Sequence, residues 1–226
     1  MGTLSLSKTN RLYWLGRYHE RVFTTLQFML DCYDRMIDGA PVDYVGYCSR
    51  LGIPCAYTDA EDFVRRYLFD PDDPNSVRAA AEQMLGNGMV LRETISSPTL
   101  SYLQMAVSAM NLAAESSSPS VELQWVLDDI MAFRGSFDDY IDDENTRNII
   151  KCGASVERIS LFLRLNFRRR TLVKELHKLL NRLYKTKLPT NPDALDVLQD
   201  YVLNNGDEPR RGETELIYAV EHLFAV

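Results

Sequence analysis

"LYWLGRYHERVFTTLQFMLDCYDRM", residues 12–36, is the stretch on which the fold turns. Its apolar or bulky positions Leu12, Leu15, His19, Val22, Leu26, Met29, Tyr33 and Met36 alternate three and four apart, the seam of a helix packed along its length. The spacing predicts one long helix, ended by Gly39 as a left-handed stop and by Pro41, which cannot continue it.

The same seam returns downstream in "NIIKCGASVERISLFL", residues 148–163, through Ile149, Cys152, Val156, Ile159 and Leu163. Superposing Gly16 on Gly153, an offset of 153 − 16 = 137 residues, puts the two seams in phase and lays Glu20-Arg21 on Glu157-Arg158. In each copy a glycine stands one turn before the glutamate, leaving bare helix where a partner backbone or a small ligand can approach the carboxylate. The two segments are expected to lie against each other, with half-buried glutamates that need cationic partners. The arginine after each glutamate can pair across to the opposite helix, and Arg17 is placed to brace Glu20. Arg92-Glu93 is a third charged doublet, which would complete a pocket of three glutamates if it points inward.

Two readings fit this pattern. In one, Glu20, Glu157 and Glu93 form an ion-pair lattice with Arg21, Arg158 and Arg92 that sets helix register. In the other the cluster is a site: Arg17, Arg21, Arg92 and Arg158 grip a carboxylate or phosphate, while Glu20, Glu93, Glu157 or His19 moves a proton. No metal centre is expected, because a ferritin-like di-metal site needs Glu-x-x-His pairs that are missing here. His177 and His222 read as surface or helix-end residues, and no phosphate loop or nucleophile elbow identifies a cofactor.

Between the two seams the chain reads as further helices. Short ones are expected around Tyr44 to Arg50 and at "DAEDFVRRYLF", capped by Thr58 or Asp59, before the turn "DPDDPNSV". The next helix, "VRAAAEQML", runs toward Gly86 and Gly88, where either the helix breaks or another group comes close. Pro98 opens another, "ESSSPSVE" ends it and caps the next, and "LQWVLDDIMAFRGSFDDYI" reads as a single helix. Three more follow after "DDEN", residues 142–145, and its seam helix, with no period-two stretch anywhere. The fold expected is all-α, a single-domain bundle of long antiparallel helices with shorter peripheral ones, spanning residues 1–226.

A 46% hydrophobic fraction over 226 residues is sufficient for a sizeable core. The formal net charge of −7 argues against nucleic acid unless a basic patch is segregated. The basic run at Arg164, Arg168, Arg169 and Arg170 falls late on a helix and reads as a solvated face. Four cysteines without C-x-x-C spacing, no leader and no apolar run of membrane length point to a cytoplasmic protein that does not enter a membrane.

"LYWLGRYHER", "FDPDDPNSV" leading to "LRETISS", and "GASVERI" together resemble the bacterial alpha-E family, over about residues 4–165. That resemblance implies an all-helical domain whose charged positions are Arg17, Glu20, Arg21, Arg92, Glu93, Glu157 and Arg158. It also implies genes beside, or fused to, ATP-grasp-type ligases, hence an accessory protein or enzyme subunit in amide-bond formation on a peptide or small carboxylate metabolite. The partner expected is such a ligase or another protein, and a homo-oligomer is compatible with the pattern. The chain departs from the family at "MLGNGM", Met84 to Met89, and at Ala154, where the family has arginine. These departures favour the alternative of a non-catalytic helical interaction module.

Overall fold

The computed structural model describes residues 5–166, 171–203 and 212–224. Twelve α-helices and no strand occur among them, so the fold is all-α. Arg168, Arg169 and Arg170 lie outside the described residues.

The chain forms two compact units, residues 1–20 with 143–226 and residues 21–142. Helix α1, Leu6–Ile37, is continuous and contributes to both. Its seam is buried from Leu12 and Leu15 through Val22, Leu26 and Met29, and is only half-buried at Tyr33 and Met36 as the helix nears Gly39.

In the first unit the beginning of α1 meets α9, Glu144–Arg164, whose residues Cys152 to Glu157 are all buried. Asp143 caps α9 by accepting from the Thr146 amide. Helices α10, Leu172–Leu183, and α12, Glu213–Glu221, both pack on α9, and α11, Pro192–Leu203, packs on α12 and α10. An antiparallel bridge between Thr190 and Phe224 closes this end, and the Phe224 ring meets Tyr13 edge-on at 5.4 Å.

The second unit is built around the hairpin of α6, Ser97–Glu115, and α7, Pro119–Gly135. Each starts with proline in its first turn, where the missing amide hydrogen costs nothing. Helices α2, Tyr44–Leu51, and α3, Ala60–Phe69, carry an aromatic cluster in which Tyr47 stacks on Phe28 and donates to the Tyr67 hydroxyl at 3.2 Å. Asp59 supplies the α3 cap, taking the Asp62 amide. Ser76, in the Asp-Pro turn, caps α4, Val77–Val90, by accepting from the Ala79 amide at 3.0 Å.

Helix α4 runs unbroken through Gly86 and Gly88. Close approach explains the second glycine: a Cβ on Gly88 would stand 2.6 Å from the Leu103 side chain, whereas one on Gly86 would meet nothing. Leu91 ends α4 and starts the single turn α5, Arg92–Ile95. The helix expected over "LQWVLDDIMAFRGSFDDYI" is a correction, because α7 stops at Gly135 and α8, Phe137–Tyr140, follows as a separate turn. The break falls at Ser136, whose hydroxyl donates to the Phe133 carbonyl at 2.7 Å and lies 3.1 Å from Thr99 Oγ1.

Candidate functional site

Gly16 and Gly153 are the contact point of α1 and α9. A Cβ added to Gly16 would collide with the Ile150 carbonyl oxygen and lie 3.0 Å from the Ala154 nitrogen. One added to Gly153 would collide with the Tyr13 carbonyl oxygen and lie 3.2 Å from the Arg17 nitrogen. The contacts exchange under the 137-residue offset, which carries Tyr13 to Ile150 and Arg17 to Ala154. Neighbouring helix backbone, not a ligand, fills the bare patch beside each glutamate.

The acids and guanidinium groups meet around this contact. Arg158 donates to both oxygens of Glu20, from Nε at 2.7 Å and Nη2 at 2.6 Å, and from Nη1 to Glu175 at 2.9 Å. Arg17 Nε donates to Glu157 Oε2 at 2.7 Å, and Lys178 Nζ to the other Glu175 oxygen at 2.7 Å. The Glu20 and Glu157 side chains are 1% and 3% exposed, so the paired cations compensate an otherwise severe desolvation. A two-pronged guanidinium–carboxylate pair also fixes orientation, which a point charge would not.

Arg17 thus crosses to Glu157, while Glu20 is gripped from the opposite helix by Arg158. Pseudosymmetry explains the asymmetric result. The counterpart of Arg17 in the second copy is Ala154, a buried residue with no charge to offer, and the cation that the structure gives Glu20 from α9 is Arg158. Burial opposes the charge on Arg158, yet Glu20 and Glu175 hold it well above the ordinary arginine range. Glu175 is also opposed by burial, and the Lys178 hydrogen bond with the Arg158 charge outweighs that, leaving its carboxyl below the usual range.

His19 is buried, and its Nδ1 lies 3.0 Å from the Leu15 carbonyl oxygen one turn earlier. A carbonyl only accepts, so this nitrogen carries the hydrogen. Arg17 also lies over the Trp14 ring, 4.9 Å from its centroid. Burial pushes the Tyr13 hydroxyl up to about 12, against the opposing pull of Arg17.

Arg92 and Glu93 do not point inward. They sit on the second unit with side chains 60% and 86% exposed and pair with each other at 3.1 Å. Neither takes the lattice role expected of it. Arg21 begins the second unit half-buried, where its charge acts on Tyr67.

Glu175, Lys178 and Arg182, all on α10, were not among the candidates from sequence. Arg182 donates to Ser155 Oγ and to the Lys151 carbonyl and faces no carboxylate at pairing distance among the described residues. A signal existed in "LVKELHKLLNRL": Glu175 lies on the stripe of Leu172, Leu176 and Leu179, an acid where a packed helix should carry apolar side chains. Arg164 in the basic run pairs with Glu221 at 2.8 Å, and His177 and His222 are exposed. Among the described residues no helix is long and apolar enough to cross a membrane.

The chain matches a family model described as a predicted alpha-helical domain with a conserved ER motif, over residues 6–188. The match extends past residue 165 and takes in α10 with Glu175, Lys178 and Arg182. No curated protein and no solved structure matches the chain. Its two Glu-Arg pairs, Glu20-Arg21 and Glu157-Arg158, supply the glutamates that α1 and α9 bury against each other. The chain belongs to the Alpha-E family.

Proposed function

We propose that this chain is a non-catalytic helical interaction module, an accessory protein whose Glu/Arg cluster is a structural ion-pair lattice. The observation that carries the reading is saturation: both oxygens of Glu20 and of Glu175 are held by cations, and Glu157 by Arg17. A general base needs a carboxylate within reach of substrate, whereas these are engaged and enclosed by helix backbone at Gly16 and Gly153. The partner class implied by the family resemblance is an ATP-grasp-type ligase that forms amide bonds on a peptide or small metabolite.

A second reading has one observation in its favour. Arg182 adds a cation beside Arg158, whose side chain is 23% exposed, and a carboxylate-bearing substrate could be held there. Glu20→Gln and Glu157→Gln, assayed with an ATP-grasp-type ligase, separate the two. The lattice reading expects both variants to melt at lower temperature and to support the ligase in proportion to the folded fraction. Lost support with unchanged melting would overturn it.

A further inference from the structure

The hairpin of α6 and α7 turns one stripe of each helix outward. On α6 the buried stripe is Thr99, Leu103, Ala106, Met110 and Ala113, and Met105 and Leu112 stand off it, 51% and 55% exposed. On α7 the indole of Trp125 is 49% exposed. These three side chains share the wall of a groove of about 520 Å³ that continues along Gln104 and Ser108 and is bounded by Asp128 and Asp129. Large apolar groups left together in water are unusual on a folded surface and mark contact sites.

The charge at the edge identifies what fits. Asp128 is bonded by Gln124 at 3.0 Å, and Asp129 has no donor or cation on it among the described residues although it is half-buried. Burial and then the neighbouring Asp128 charge raise the Asp129 carboxyl above its ordinary range, the behaviour of an acid lacking a counter-charge. A second copy would bring acid against acid across a two-fold axis and carries the same net charge of −7. An anionic lipid surface would be repelled in the same way. From Ser101 to Leu112 the α6 wall runs roughly 16 Å, about three helical turns.

We infer that the α6–α7 groove of Met105, Leu112 and Trp125 binds an amphipathic helix of a protein partner, cationic beside its apolar stripe where it meets Asp128 and Asp129. The occupant presents apolar residues at i, i+3 or i+4 and i+7 to the groove, with Lys or Arg flanking them. The inference rests on the interaction-module reading and gives that module a surface and a partner class.

The test presents the full chain to a display library of helical peptides of about 20 residues, with Leu, Met or Ile fixed at the stripe positions and the rest varied. Recovered peptides are expected to be enriched in Lys and Arg beside the stripe. Titration calorimetry on one of them should show binding weakened about ten-fold or more by Met105→Glu with Leu112→Glu, and by Asp128→Asn with Asp129→Asn. Met89→Glu, an exposed methionine on α4, serves as a control that leaves binding unchanged, and circular dichroism checks that each variant is folded. Recovery of neutral or acidic peptides, recovery of none, or binding indifferent to both pairs of substitutions would overturn the inference. So would a dimer of the chain that Leu112→Glu dissociates, or capture of the chain by anionic vesicles. Loss of the groove in this test leaves the Glu20 and Glu157 experiment untouched, so the two readings fail separately.

Discussion

Gly16 and Gly86 are both helical glycines, and what faces each one sets opposite expectations. Gly16→Ala places a methyl group against the Ile150 carbonyl, which belongs to backbone and cannot rotate away, so a loss of about 2–3 kcal/mol is expected, with Gly153→Ala similar. Gly86→Ala meets open space within α4 and should raise stability by about 0.5–1 kcal/mol, since alanine is the better helix former. Denaturant unfolding of the three variants checks both signs. The Gly16/Gly153 pair was legible in the sequence because two seams in phase placed each glycine beside a glutamate on one face. The bond from Arg17 to Glu157 was not, since a long side chain three residues before Glu20 can equally cross to the other helix and spacing along one helix does not say so. Arg92 and Glu93 show the converse limit: the doublet resembles the other two in composition, but its single-turn helix has no seam to bury it.

Helix α10 adds pH dependence to the lattice. Glu175 has its carboxyl held below the ordinary 4.5 in the folded chain, so it ionises more readily folded than unfolded. Its contribution to stability is present above pH 4.5 and is lost as pH falls from there through the lower folded value. The wild-type midpoint of unfolding should therefore drop on acidification below pH 4.5, and Glu175→Gln should flatten that part of the profile while lowering stability at pH 7. Parallel curves for the two proteins would show that Glu175 is not linked to folding. Helix existence and caps were readable throughout, as at Asp59, because a short polar side chain before an amphipathic run has few other uses. The split of α7 from α8 was less so: Gly135 and Ser136 each tolerate a helix, and the break depends on the Ser136 hydroxyl finding Phe133 and Thr99.

For the molecule as a whole, the family match ties the fold to a Glu-Arg motif, and in the first unit the glutamates of that motif are buried and paired with arginine. All-α architecture followed from periodicity alone, since no stretch alternates at period two. The groove on the second unit was hidden because Met105, Leu112 and Trp125 occur in helices already apolar on another face, and sequence does not say which apolar stripe is covered. Glu20 and Arg158 bind α1 to α9. A double-mutant cycle with Glu20→Gln and Arg158→Met, read by denaturant unfolding, tests it most directly. A coupling of about 2 kcal/mol or more is predicted, because either single substitution strands a buried partner and the second removes it. Additive losses, agreeing to within about 0.5 kcal/mol, would contradict the claim.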